Sequence, residues 1–349
     1  MPKVLARLGS GHNQVVMNLF TDSRITRRHL LTVAGGGVLM SAPMACGWLQ
    51  DLPVSVAAHV WLGNEPMFMA RDRGWLDASQ VTLQETRSAI ESMSALRAGK
   101  VQAAALTLDE VLGARATGLA LSVVLVFNVS MGADMLLVRP GITELVQLKG
   151  LRIGHEASSV AEIMLAEILK VAGLTRQDVQ LQAMPIGEQT DAWRNRVVDA
   201  VISYEPMATQ LLAQGMIRLF DSRQMPGTVV DVLAVRSDAL GHAHAKAIRH
   251  LVATHFRAVD EFTRNPQDAA YRMAGHLNLP AAGVLAAFKG LILPTVANNH
   301  QMLAGSAPEM LSTTRRVAAR LSQSGLLAQK DALTDLVNGD YLPAGPATR

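Results

Sequence analysis

The chain has 349 residues, 49% of them hydrophobic and 17% charged, with a net charge of +3 and one cysteine, Cys46. A single cysteine excludes an intrachain disulfide, so the fold must be held by its core alone. Five of the 32 basic residues and one of the 29 acidic ones lie in residues 1–46, which leaves the remainder near −1 and removes the electrostatic footprint that a nucleic-acid partner requires.

The first segment reads as an export signal. Leu30–Ala45 (LLTVAGGGVLMSAPMA) is a 16-residue apolar run, shorter than the roughly 20 residues that span a bilayer and interrupted by three glycines. Ahead of it, Arg24, Arg27 and Arg28 form a basic stretch whose adjacent arginines resemble a twin-arginine signal. The small residues leading to Cys46 resemble a lipobox, with Pro43 where that pattern prefers Leu. Two outcomes follow: a lipid on Cys46 that anchors the chain to a membrane, or cleavage near Ala45 with Cys46 an incidental thiol.

Beyond Cys46, β-rich runs alternate with helical patterns. VSVAAHVW (Val54–Trp61) reads as a strand, followed by a helix with Pro66 in its first turn. VTLQET from Val81, a helix ending at Gly99, VQAAALT ending at Thr107, a helix over Leu108–Thr117 and LSVVLVFNV from Leu121 continue the alternation. This order predicts a parallel sheet covered by helices on both faces. After DMLLVRPG (134–141) the pattern restarts: strand Leu151–Gly154, helix Ser158–Val171, strand VQLQAMP, helix Glu188–Arg196 and strand DAVISY ending at Tyr204. TVVDVLAVR (Thr228–Arg236) then leads into helices over Ala245–Arg264, Pro266–His276, Ala281–Lys289 and Ala307–Gln323. Two βα sets joined by DMLLVRPG and TVVDVLAVR predict two lobes linked by two extended hinge crossings: 47–136 with 230–349 as lobe I, and 137–229 as lobe II.

Several segments, in order, carry a resemblance: Trp61–Leu76 (WLGNEPMFMARDRGWL), Leu96–Ala105 (LRAGKVQAAA), Gly132–Asp134, Leu148–Gly154 (LKGLRIG) and Arg196–Pro206 (RVVDAVISYEP). Together they are similar to the nitrate/sulfonate/taurine group of solute-binding proteins, type 2 periplasmic binding proteins of ABC importers. The resemblance implies an α/β fold of two lobes with mixed sheets, closing by a hinge over one small molecule. It further implies delivery to a permease in the inner membrane and no catalysis. A ligand-sensing subunit and a pyrimidine-precursor biosynthetic enzyme of the same superfamily are the alternatives.

In open α/β sheets ligands sit beyond the carboxyl ends of strands, and those ends supply the candidate site residues. Trp61, Asn64 and Glu65 follow the first strand, with Trp61 read as a stacking surface or a core residue, and Asn64 as a ligand contact or a helix cap. Thr107 and Asp109 follow the third strand, where Thr107 and Glu110 fit a capping box. Asn128, Ser130 and Asp134 surround the first crossing. Glu156, Ser158 and Ser159 open the helix of the second set, either facing the cleft or capping that helix. Tyr204 and Glu205 end the last strand of that set. Acidic residues crowd these turns while basic ones are nearly absent, so the expected cargo is a neutral or amine-bearing heterocycle rather than an inorganic anion. No Walker, HExxH, CxxC or GxSxG pattern follows Cys46, so neither a cofactor, a metal nor catalysis is expected, and the chain is read as an exported, lipid-anchored monomer of the periplasm or cell surface.

Overall fold

The computed structural model describes residues 51–344 other than 328 and 330. The export segment and Cys46 lie outside the described residues. Among those described, no helix is long and apolar enough to cross a membrane.

Lobe I starts with β1 (Val54–His59), α1 (Glu65–Asp72), β2 (Val81–Thr86), α2 (Ala89–Arg97), β3 (Ala103–Thr107), α3 (Leu108–Ala116) and β4 (Leu121–Ser130). Pro66 occupies the first turn of α1, where its missing N–H costs nothing, and Ser88 caps α2 by accepting from the Glu91 amide at 3.3 Å. The chain then builds a second sheet from β5 (Asp134–Val138), β6 (Arg152–His155), α4 (Ser159–Ala172), β7 (Gln180–Ala183), α5 (Gln189–Arg194), β8 (Ala200–Tyr204), α6 (Met207–Ala213) and β9 (Ile217–Asp221). It returns through β10 (Val230–Arg236) to α7 (His242–Arg264), α8 (Pro266–Leu277), α9 (Ala281–Phe288), β11 (Leu291–Ile292), α10 (Val296–Leu303) and α11 (Glu309–Gln323).

The first sheet has the order β11-β4-β10-β3-β1-β2 and the second β7-β6-β8-β5-β9. Both are mixed. β1, β2 and β3 run parallel, whereas β10 inserts antiparallel between β3 and β4; in the second sheet β5 runs antiparallel to β8 and β9. The stretches read as extended hinge crossings are interior members of the two sheets: DMLLV belongs to the second sheet and VDVLAVR to the first. Their side chains are almost all buried, and a buried extended segment must pair its N–H and C=O groups on both sides, which only a sheet interior provides. The passages between lobes are shorter and lie just before each strand, at Met131–Ala133 and over 222–229. At the first, Gly132 has φ +121°, a conformation that side-chain-bearing residues avoid. Its amide donates to Ser222 Oγ (2.7 Å), which also pairs with Ser130 Oγ (2.8 Å), so the two passages are tied to each other.

The residues of β9, β11 and α10 carry no sequence prediction. α10 (VANNHQML) has two asparagines, which are weak helix formers, and a tertiary bond holds it. Asn299 is fully buried, accepts from the Val126 amide (2.8 Å) and donates to the Val126 carbonyl (3.2 Å). Asn299→Ala leaves both backbone groups of Val126 unpaired, and a loss of about 2–4 kcal/mol in urea unfolding is expected.

Candidate ligand-binding cleft

The parallel strands β1, β3, β6 and β8 end at one edge of each sheet, and the antiparallel strands β5 and β10 begin at that same edge. Asp134, the first residue of β5, pairs with Tyr204, the last of β8. Asp231, near the start of β10, pairs with Thr107 on one side and Asn128 on the other. Strand beginnings as well as strand ends thus supply the cleft.

Between the lobes lies a small cavity that is partly open to solvent. His59, Trp61, Ala89, Thr107, Glu110, Val229 and Asp231 line it from the side of the first sheet, and Asp134, Glu156, Ser158, Val160 and Tyr204 from the second. A wider groove bordered by Ile90, Met184, Pro185 and Ile186 shares Glu156 with it. Trp61 and Tyr204 meet edge to face across the cleft, their centroids 5.7 Å apart at 79°, a geometry aromatic quadrupoles favour. With its amide oriented to satisfy both neighbours, the fully buried Asn128 accepts from Trp61 Nε1 (3.2 Å) and donates to Asp231 Oδ2 (2.8 Å). Asn128 thus fixes two lining residues from behind. It sits against Gly63, where a Cβ would lie 1.7 Å from the Asn128 amide, so a side chain at 63 would displace it. A second contact between lobes is the hydrogen bond from Ser159 Oγ to Asp109 Oδ2.

The other candidates have different surroundings. Glu65 points away from the cavity and pairs with His276 of α8 at 2.7 Å. Asn64 donates to the His59 carbonyl (3.0 Å). Glu205 accepts from the Thr209 amide (3.0 Å) and hydroxyl (2.9 Å), capping the turn into α6. Ser130 belongs to the hinge pair with Ser222. Ser158 caps α4 through the Ala161 amide (3.4 Å) while still lining the cavity. Trp61, Thr107, Asp134, Glu156, Ser158 and Tyr204 come together, with Asp109, Ser159 and Asn128 directly behind them. Glu65, Asn64, Glu205 and Ser130 do not reach the cavity. His59, Glu110 and Asp231 line it and were not among the sequence candidates. Glu110 was legible only as half of a capping box, and its carboxylate does accept from the Thr107 amide (2.9 Å).

The electrostatics are one-sided. Glu110, Asp134, Glu156 and Asp231 face the cavity, and His59 is the single basic group among the lining residues. Arg139 and Lys149, the two basic residues near these turns in sequence, pair elsewhere with Asp199 and Asp178. Burial pushes Asp134 up to about 7, with the charges of Asp109 and Glu205 adding to the effect. Burial and then the Asp109 charge take Glu110 to about 8. Asp231 lies well above the carboxylate range through burial and the Asp134 and Glu110 charges, and burial raises Asp109 and Glu156 as well. Burial lowers His59 to about 4, so its imidazole is neutral. Among the described residues no group of three or more His, Cys, Asp or Glu is arranged to hold a metal ion.

This arrangement, two mixed sheets joined by paired passages with a cavity at their facing edges, is the two-lobed type 2 periplasmic binding protein fold. The chain belongs to the NMT1/THI5-like family, whose model matches residues 63–269. No curated protein matches the chain significantly in sequence. Among solved structures it is similar to the alkanesulfonate-binding protein SsuA from Xanthomonas axonopodis pv. citri bound to MOPS, with TM-score 0.68, 17% identity, and coverage of 80% of this chain and 96% of that one. It is similar to the periplasmic aliphatic sulphonate binding protein SsuA from Escherichia coli, with TM-score 0.67, 19% identity, and coverage of 82% and 98%. It is also similar to the desulfurization enzyme DSZB, with TM-score 0.59, 17% identity, and coverage of 82% and 97%. At these identities the likeness defines the fold.

The raised carboxyl groups predict the pH dependence of the ligand-free protein. A carboxyl that holds its proton to higher pH when folded gives stability present below its unfolded value, about 4, and lost as pH rises through its folded value. The lowered His59 and His255 act oppositely, but only below about 6.5, where unfolded imidazoles titrate. Between pH 6.5 and about 8 the carboxyls Asp134 and Glu110 dominate. His276, raised by the Glu65 carboxylate, has the same sign. The expected result is a melting temperature that falls across this window in differential scanning fluorimetry, and falls less in Asp134→Asn.

Proposed function

We propose that the chain is the extracytoplasmic solute-binding subunit of an ABC importer, which captures one small molecule by hinge closure and presents it to an inner-membrane permease. The observation that carries this reading is the cavity itself, which draws its walls from both sheets and lies where two hinge passages allow closure. The folds of the sulfonate-binding SsuA proteins support the same role.

DSZB shows that the fold also hosts an enzyme. Binding without turnover is favoured here because His59 Nδ1 has no hydrogen-bond partner and no hydroxyl or thiol pairs with that ring among the described residues, so the nucleophile and base of covalent catalysis are not assembled. The cargo is a neutral or amine-bearing small molecule, such as a nitrogen heterocycle, and not a sulfonate or nitrate. An anion among Glu110, Asp134, Glu156 and Asp231 would meet like charge or carboxyl groups, with no cation to offset it. The protein acts as a monomer in the periplasm or at the cell surface, held to the membrane by a lipid on Cys46.

Two measurements test this reading. Mass spectrometry of small molecules carried through native purification should find one nitrogen-containing compound. Tyr204→Ala should weaken its binding by about 2 kcal/mol or more, roughly 30-fold, because half of the aromatic wall is lost. Normal binding by this variant, or release of a chemically altered product, would overturn the proposal. Separately, Cys46→Ser should move the protein from the membrane fraction to the soluble extracytoplasmic fraction, and an unchanged distribution would remove the lipid anchor.

A further inference from the structure

Resting on that reading of the cleft as a capture site, we propose that its cargo is specifically an organic cation, and that the cavity exchanges a proton for it on binding. The geometry starts from Asp134. It is 4% exposed, lines the cavity, and its Oδ2 has no hydrogen-bond partner among the described residues. A buried carboxyl oxygen aimed into a cavity with nothing to bind leaves an acceptor free for an N–H donor from a ligand. Asp231, by contrast, already accepts from the Asn128 amide.

The groups that face Asp134 leave no counter-charge inside the protein. Glu110 comes from α3, Asp231 from β10, and Glu156 from the turn into α4, all at the same cavity. Asp109 of α3 and Glu205 beyond β8 add their fields from behind. Tyr204 is held far from ionisation by burial and by these acids, and His59 is neutral. A ligand is therefore the remaining source of positive charge. The edge-to-face rings of Trp61 and Tyr204 offer π surface to a cation in the same space, and the cavity lacks a cluster suited to a metal, which leaves an ammonium or amidinium.

The exchange follows from charge balance. In the ligand-free protein the Asp134 carboxyl holds a proton, because an unpaired buried carboxylate is costly. When the cation arrives, its N–H donates to Oδ2, the O–H proton leaves to bulk solvent, and the net charge of the cavity is unchanged. Cation and proton compete for one oxygen, so affinity must rise with pH up to the folded value of the carboxyl and level off above it.

The test uses two matched sets of probes: benzylamine, benzyl alcohol and benzenesulfonate, and propylamine, propanol and propanesulfonate. Isothermal titration calorimetry in phosphate at about pH 6 and about pH 8, and in a second buffer of larger ionisation heat that is not a primary amine (MES at about pH 6, HEPES at about pH 8), should show the ammonium member of a set binding at least about tenfold more tightly than its neutral and anionic partners. Its heat should differ between buffers by close to one proton released at about pH 6, and its affinity should fall by up to about tenfold per pH unit below the plateau. Asp134→Asn carries the same charge as the protonated ligand-free form and so should fold. It should lose the proton release and about tenfold or more of ammonium affinity, so that the preference for the ammonium over the alcohol of the same set disappears. Tighter binding of an alcohol or a sulfonate would overturn this inference and leave solute capture standing. Buffer-independent heats, or an unaffected Asp134→Asn, would overturn the exchange. Failure of every probe would overturn the cation class, and the co-purified compound alone would then decide whether the cleft captures a solute.

Discussion

A carboxylate buried without a counter-charge is among the most expensive arrangements a fold can hold, and this protein gathers at one place several carboxyl groups that escape it only by holding their protons. Two acids outside the cleft show the usual alternative. Asp199 lies against Arg152 and Arg139, which hold its carboxyl below the usual range. Asp331 receives two bonds from the Arg115 guanidinium and is lowered likewise. Arginine is thus available for structural acids and withheld from Glu110, Asp134, Glu156 and Asp231. A cluster left unpaired while its neighbours are paired is better explained by a ligand than by folding.

Topology creates the cluster. In a purely parallel sheet only the residues after each strand would reach the cleft. Insertion of β10 between β3 and β4, and of β5 between β8 and β9, turns two strand beginnings toward the same edge and brings Asp231 and Asp134 with them. Both strands directly follow an interlobe passage. The acids therefore sit at the hinge end of the cavity, where closure changes their surroundings most. Asn128 is the link on the first sheet, since one amide orients the Trp61 indole and donates to Asp231 at once.

The alternation of strands and helices was legible because buried strands are written as short apolar runs and helices begin with Pro66, Ser88 or Ser158. The location of the cleft at strand ends was legible for the same reason, and Trp61, Thr107, Glu156 and Tyr204 all stand there. What could not be read was direction. An apolar run such as VDVLAVR is the same whether its strand is parallel or antiparallel, so Asp231 could be placed among the acids near the crossings but not shown to face the cavity. Glu65 and Glu205 stand before prolines at matching turns of the two lobes, yet one pairs with His276, 211 residues away, and the other caps its own helix. Only tertiary contacts separate a cavity acid from a structural one at such positions. α10 shows the same limit for secondary structure, because Asn299 is a poor helix residue that earns its place through Val126.

The contacts between lobes connect charge to motion. Ser159 of the second lobe donates to Asp109 of the first, and Tyr204 packs on Trp61, so the two lobes touch across the cleft. Asp109 Oδ1 and Asp134 Oδ2 are unpartnered in it. Opening the cleft would return both carboxyls to water, where each ionises readily, whereas closing withdraws that solvation. Under the proposed exchange, closure without a ligand is accompanied by proton uptake, and closure on a cation need not be. The difference in free energy between those two closures is what a positively charged guest contributes to the conformational equilibrium, and a ligand can shift such an equilibrium only by its differential interaction with the two states. The acids that make the empty closed form costly are thus the same groups that would let a cation stabilise it, while a neutral guest would have to rely on the aromatic walls alone.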